Sequence, residues 1–211
     1  APMSDVKATA LTGSVWDGGG SPYAVNSKKF GMWLFIISDS LTFSALLVTY
    51  TYLRLSNPNW PLPFHFSPAI IFSSIMTFCL LSSSLTMVMA VHKMAEGDRS
   101  STVKWLLATM AGGGAFIALH MQEWLHLIHD GVTPFKNPWN EPLFGATFFS
   151  ITGLHMTHVA CGVIYLGIIA LGVGRGKFKH EDVEVCGLYW HFVDLVWMFV
   201  FPLVYLMSVK G

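Results

Sequence analysis

Seven ionisable side chains sit inside long apolar stretches of this 211-residue chain: Asp39, His120, Glu123, His155, His158, His191 and Asp194. A charge at membrane depth is costly, so such groups mark a buried pair, a path or a site. Glu123-x-x-His126 is half of the Glu-x-x-His signature of di-iron bundles, which requires a second copy and two further carboxylates. The chain has no second copy, so a di-metal centre is not supported. His155 and His158 put two imidazoles on one helix face, which suits copper or zinc if other ligands converge. Facing a histidine of another span, the pair could instead hold a haem. A histidine satisfied between helices is the commoner outcome and is the reading adopted. His191 and Asp194 are likewise three apart and can satisfy each other. Buried acids also mark ion paths, but five spans without an internal repeat offer no alternating-access scaffold.

Depth sorts these groups. Asp39 lies ten residues past Lys29, about 15 Å in at the helical rise. His158 is fifteen residues from both Leu143 and Val173, near mid-membrane, so the two depths overlap within about a turn and a half. An unpartnered buried polar group costs roughly 1–3 kcal/mol, so Asp39 and His158 are expected to meet. The competing partner is His191, about 9 Å deep, unless Asp194 holds it. Glu123 lies nearer the outer surface. The acids are layered, with no catalytic residue expected among them.

The elements that must position these groups are five membrane spans. The chain is 53% hydrophobic and 11% charged, against about 25% charged in soluble domains. Apolar runs cover about 30–53, 69–91, 103–128, 143–173 and 185–209, and the last, 25 residues long, reaches ~37 Å against a ~30 Å hydrocarbon core. Four prolines between Asn57 and Pro68 forbid a continuous helix there. The span from Leu143 to Val173 is 31 residues without Asp, Glu, Lys or Arg, long enough to tilt or protrude. The fold class is therefore all-α, an integral membrane bundle of five helices over residues 28–211. Residues 1–27 lack an apolar signal region and read as a loosely ordered tail.

Charge orients the bundle. Nine Lys and Arg fall on the side shared by the tail and the loops after spans two and four, and three on the other. The positive-inside rule puts the N-terminus in the cytoplasm and the C-terminus in the periplasm. A net charge of zero gives no reason to expect nucleic acid. Cys79, Cys161 and Cys186 form no C-x-x-C and read as small core residues. Ser82 to Ser84, Gly112 to Gly114, Gly145, Gly153 and Gly162 allow close helix approach. Of these, Ser83, Gly113, Gly153 and Gly162 are expected to form the face that meets a partner subunit.

The runs F-G-M-W-L-F-I-I-S-D-S (Phe30 to Ser40), M-A-E-G-D-R (Met94 to Arg99), H-M-Q-E-W (His120 to Trp124), F-G-A-T-F-F-S-I-T-G-L-H-M-T-H-V (Phe144 to Val159) and L-Y-W-H-F-V-D-L-V-W (Leu188 to Trp197) follow one another in order. Together they resemble subunit III of the haem–copper terminal oxidases over essentially residues 29–209, in its five-helix bacterial form. The resemblance implies a non-catalytic accessory subunit of a bacterial inner-membrane respiratory complex that reduces oxygen and pumps protons. It implies packing on subunit I beside subunit II, bound phospholipid, and haem and copper held by partner subunits with none on this chain. It further implies support of proton uptake and stability during turnover. Two departures stand out. Seven-helix members carry two further N-terminal spans, which help to build the lipid cleft. At the position of the family's carbodiimide-reactive glutamate this chain has Asp39, as the quinol-oxidase branch tends to. M-A-E-G-D-R and L-Y-W-H-F-V-D look closer to the cytochrome c oxidase branch, which is the expected type. Alternatives are a quinol oxidase subunit, a nitric oxide reductase accessory protein, or, from another class, a membrane protein holding its own haem or metal on these histidines.

Overall fold

A computed structural model describes residues 27–62 and 70–208. Five helices follow one another: α1 Ser27–Ser56, α2 Ile71–Ala95, α3 Arg99–His129, α4 Pro142–Gly174 and α5 His180–Val200. A π-turn, Phe201–Tyr205, and a 3-10 turn, Leu206–Ser208, prolong α5. All five are long and apolar enough to cross a membrane, and no strand occurs among the described residues. The tail expected over 1–27 lies outside the described residues except for Ser27, which opens α1.

Most helix ends overrun the apolar spans, and local chemistry explains where they stop. The polar stretch from His92 to Lys104 reads as a connection, yet only Glu96 to Asp98 leave the helix. Gly97 adopts φ +82°, and the Asp98 amide reaches back to the Lys93 carbonyl at 3.0 Å. This left-handed stop satisfies carbonyls that the helix end would orphan. Asp98 then caps α3 by accepting from the Ser101 amide at 3.0 Å. Gly131 ends α3 and Gly176 ends α4 in the same way. α5 starts at His180, five residues before the expected span, because Asp182 reaches back to the Lys179 amide at 2.9 Å. Glu181 and Asp182 also place negative charge at the positive end of its dipole.

α2 and α3 form a tight antiparallel hairpin, α4 packs on α3, and α5 fills the space between α2 and α4. α1 lies on the outside against α5 and α4. The centre is aromatic: Trp190, Trp197, Tyr205, Phe116, Phe144 and Phe148 are fully buried. Outward-facing side chains such as Phe30, Leu41, Phe78, Leu85, Ile164 and Leu195 are large and apolar, as a lipid-facing surface requires.

The small residues do not form an outer face. Ser83 is buried at the α2–α3–α5 junction, where its hydroxyl accepts from Trp190 Nε1 at 3.1 Å. A Cβ on Gly113 would strike the Trp190 ring and one on Gly162 would lie 2.9 Å from it; one on Gly153 would lie 3.0 Å from Trp124. The glycines are therefore notches for tryptophans of this same chain, and the expectation that Ser83, Gly113, Gly153 and Gly162 meet a partner is corrected. Bulk at the tryptophan positions is what demanded small residues opposite. The cysteines divide as well: Cys186 is buried and Cys79 half-buried, but Cys161 is exposed, so it is not a core residue.

Candidate functional site

α1 and α4 bring Asp39 and His158 together. His158 Nε2 lies 3.2 Å from Asp39 Oδ2, with both side chains largely buried. The approach is off the axis of a formed hydrogen bond. The other ring nitrogen, Nδ1, lies 2.8 Å from the Leu154 carbonyl one turn back on α4. A carbonyl only accepts, so Nδ1 carries its proton, and Nε2 faces the carboxyl as either acceptor or donor. Phe43 presses edge-on against the His158 ring at 5.5 Å and keeps this contact apolar.

A second polar site lies toward the other end of the bundle. Glu123 of α3 accepts from Ser73 of α2 at 3.1 Å through Oε1 and from Tyr205 at 2.8 Å through Oε2. His120 Nδ1 stands 3.6 Å from the same carboxyl. The π-turn at Phe201–Tyr205 contains Pro202, which has no amide to donate to the helix ladder. It shifts the register so that Tyr205 points inward onto Glu123. His126, the other member of the Glu-x-x-His motif, points outward toward Asp130 at 3.9 Å and has no part in this site.

Between the two sites, His120 and His155 are fully buried in aromatic walls. His155 stacks on Trp197 at 5.0 Å, and His120 stacks on Phe116 at 5.6 Å. Neither ring has a hydrogen-bonding partner among the described residues. Each histidine is packed ring to ring, and no group of three His, Cys, Asp or Glu side chains converges as a metal would require among the described residues. The His155-x-x-His158 pair also diverges, His155 toward Trp197 and His158 toward Asp39.

His191 and Asp194 do not satisfy each other. His191 Nδ1 meets the Ser84 hydroxyl at 2.7 Å. α2 and α5 pack side by side, so a serine on the neighbouring helix takes His191 away from its (i, i+3) partner. At the membrane ends, Lys28 pairs with Asp182 at 2.6 Å and Lys29 with Glu184 at 2.5 Å, tying α1 to α5. At the opposite end, Tyr50 meets Ser208 at 2.9 Å and Arg54 donates to the Met207 carbonyl.

Sequence reasoning missed Ser73, Ser84 and Tyr205 as partners. Depth could have found two of them. Ser73 opens the second span and Tyr205 closes the fifth, which places both at the level of Glu123.

The chain matches the family described as cytochrome c oxidase subunit III over residues 10–209. A quinol oxidase subunit 3 from Bacillus subtilis (strain 168) is 33% identical over 184 residues, covering 86% of this chain and 87% of that protein. A cytochrome c oxidase subunit 3 from the same strain is 32% identical over 189 residues, 88% of each chain. A cytochrome c oxidase subunit 3 from Synechocystis sp. (strain ATCC 27184 / PCC 6803 / Kazusa) is 31% identical over 208 residues, 97% of this chain and 84% of that protein. With five membrane-spanning helices and bacterial relatives, the chain belongs to the cytochrome c oxidase subunit III family, as a multi-pass inner-membrane subunit of a haem–copper oxidase complex.

Proposed function

We propose that this chain is the subunit III of a cytochrome c-type oxidase, packing on subunit I and sustaining proton uptake while that partner reduces oxygen. The observation that carries this reading is the Asp39–His158 pair. It sets a carboxyl and an imidazole 3.2 Å apart at membrane depth, between the outermost helix and the core. In this reading the pair supports proton uptake, and the haem and copper of the complex are held by partner subunits. In this reading phospholipid covers the apolar outer faces, and the excess of Lys and Arg at the α2–α3 and α4–α5 connections supports a cytoplasmic side for those loops and the N-terminus.

The cytochrome c type is supported by M-A-E-G-D-R and L-Y-W-H-F-V-D. A quinol-oxidase subunit is the second reading, favoured by Asp39 and by a relative of that name at 33% identity. Affinity purification of the tagged chain in mild detergent tests membership, with a haem–copper subunit I expected in equal amount. The purified complex should then oxidise reduced cytochrome c, and oxidation of quinol alone would assign the other type. A Soret band carried stoichiometrically by the isolated chain would overturn the accessory role. A cysteine placed between Met94 and Arg99 should react with impermeant thiol reagents from the cytoplasmic face only.

A further inference from the structure

Trp197 and Tyr205 are both fully buried, with ring centroids 5.7 Å apart. The Tyr205 phenol donates to Glu123 Oε2 at 2.8 Å, and Ser73 donates to Oε1 at 3.1 Å, so both carboxyl oxygens receive hydroxyl protons. That partner separates Tyr205 from other tyrosines of the bundle. Tyr50 lies against the Ser208 hydroxyl and the Val204 carbonyl, and Tyr189 donates to the His158 carbonyl. A carbonyl or hydroxyl oxygen orients a phenol without taking its proton, whereas a carboxylate takes it. This matters when a phenol loses an electron. In apolar surroundings the resulting cation has no solvation, so the proton must leave together with the electron.

We propose that Tyr205 is a proton-coupled redox site, in which a radical cation at Trp197 takes one electron from Tyr205 while the phenolic proton moves to Glu123 Oε2. The initial oxidant is a hydroxyl or peroxyl radical, which takes one electron from Trp197 and is reduced to its anion. In the second step the Tyr205 O–H bond breaks, an O–H bond forms on Glu123, and Trp197 returns to neutral indole. Tyr205 is left as a neutral phenoxyl radical. With Glu123 in its ionised form, a positive indole and a negative carboxylate are both discharged, which a low-dielectric interior favours. The oxygen–oxygen distance is that of direct proton transfer. In a complex that handles oxygen, the site would hold an oxidising equivalent inside this chain and away from lipid. Only the source of the oxidant rests on the function proposed above.

The test uses the full chain purified in detergent, frozen, and illuminated at wavelengths absorbed by indole and not by phenol. Electron paramagnetic resonance after annealing should show a neutral tyrosyl radical. Tyr205→Phe should lose that signal. Glu123→Gln, which keeps a hydrogen-bonding side chain but removes the base, should lose it too, with the indole signal persisting. Tyr50→Phe should leave it intact. A tyrosyl signal that survives Tyr205→Phe or Glu123→Gln, or that vanishes in Tyr50→Phe, would overturn the proposal. Because the light supplies the oxidant, a positive result from a chain that co-purifies with no oxidase would keep this site and refute the proposed function alone.

Discussion

The first and last helices of the bundle are held by opposite means. Only 11% of the most apolar window of α1 is buried inside the chain, against 50% for the last span. α5 is fixed by bulk: Trp190 and Trp197 fill notches and aromatic walls in α2, α3 and α4. α1 is fixed by polar ties at three levels: Lys28 and Lys29 at one end, Asp39 at mid-depth, and Tyr50 and Arg54 at the other. Lipid is as apolar as leucine, so burial gives helices no reason to associate in a membrane; close packing and polar contacts do. α5 uses the first and α1 the second.

Substitutions that attack packing should therefore do the most damage. Gly113→Leu or Gly162→Leu drives a side chain into the Trp190 ring, and overpacking of this kind costs about 1–3 kcal/mol or more. Unfolding of the purified chain in denaturing detergent, followed by tryptophan fluorescence, should show a large loss. Gly114→Leu should not, since a Cβ there meets nothing. Equal loss from Gly114→Leu would remove the distinction between packed and lipid-facing small residues.

Asp39→Asn should cost less, since asparagine keeps a polar atom at the α1–α4 contact; the expected loss is about 1 kcal/mol. The wild-type carboxyl should be modified by a hydrophobic carbodiimide, and the variant should lose that labelling while an assembled complex keeps its oxygen reduction. Complete loss of turnover in an assembled complex would make Asp39 catalytic and end the accessory reading.

Smaller again is the contribution of the membrane-end ties. Lys29 and Glu184 are both partly exposed, so a double-mutant cycle between them should give no more than about 1 kcal/mol. Raising the salt concentration should weaken it further. A coupling that ignores salt would mean the pair is effectively buried and that α1 is held more tightly than its exposure indicates.

The smallest effect belongs to Asp98, outside the spans. Hydrogen bonds from the Ser101 side chain and backbone amide hold its carboxyl below the usual value of 3.8. A group whose folded pKa is depressed stabilises above its unfolded pKa and loses that contribution as pH falls through the folded value. Hydrogen exchange at the first turn of α3 should thus quicken on acidification below that range, and Asp98→Ala should quicken it at neutral pH. An unchanged first turn in that variant would show that Gly97 and its backbone bonds suffice to start α3.

The sequence by itself determined the number and order of the spans, the layering of the acids and the family. Each of these depends on composition along one dimension: apolar run length, distance from a span end, and motif order. It also led to the Asp39–His158 contact, because depth along a helix axis is a linear quantity. What only the tertiary structure decided was azimuth, the direction in which each helix face points. Ser83, Gly113, Gly153 and Gly162 could have faced a partner as readily as a neighbouring helix. The tryptophans opposite, more than 25 residues away for Gly113, Gly162 and Ser83, settled that they face inward. His191 and Asp194 share a face of α5 and so looked self-sufficient, until packing put Ser84 of α2 on His191. Tyr205 reached Glu123 only because the helix loosens into a π-turn at Pro202 and rotates its last residues. Rotation of one helix about its own axis leaves every depth and every run length unchanged, so no linear reading contains it; the fit of large rings into small-residue notches selects it.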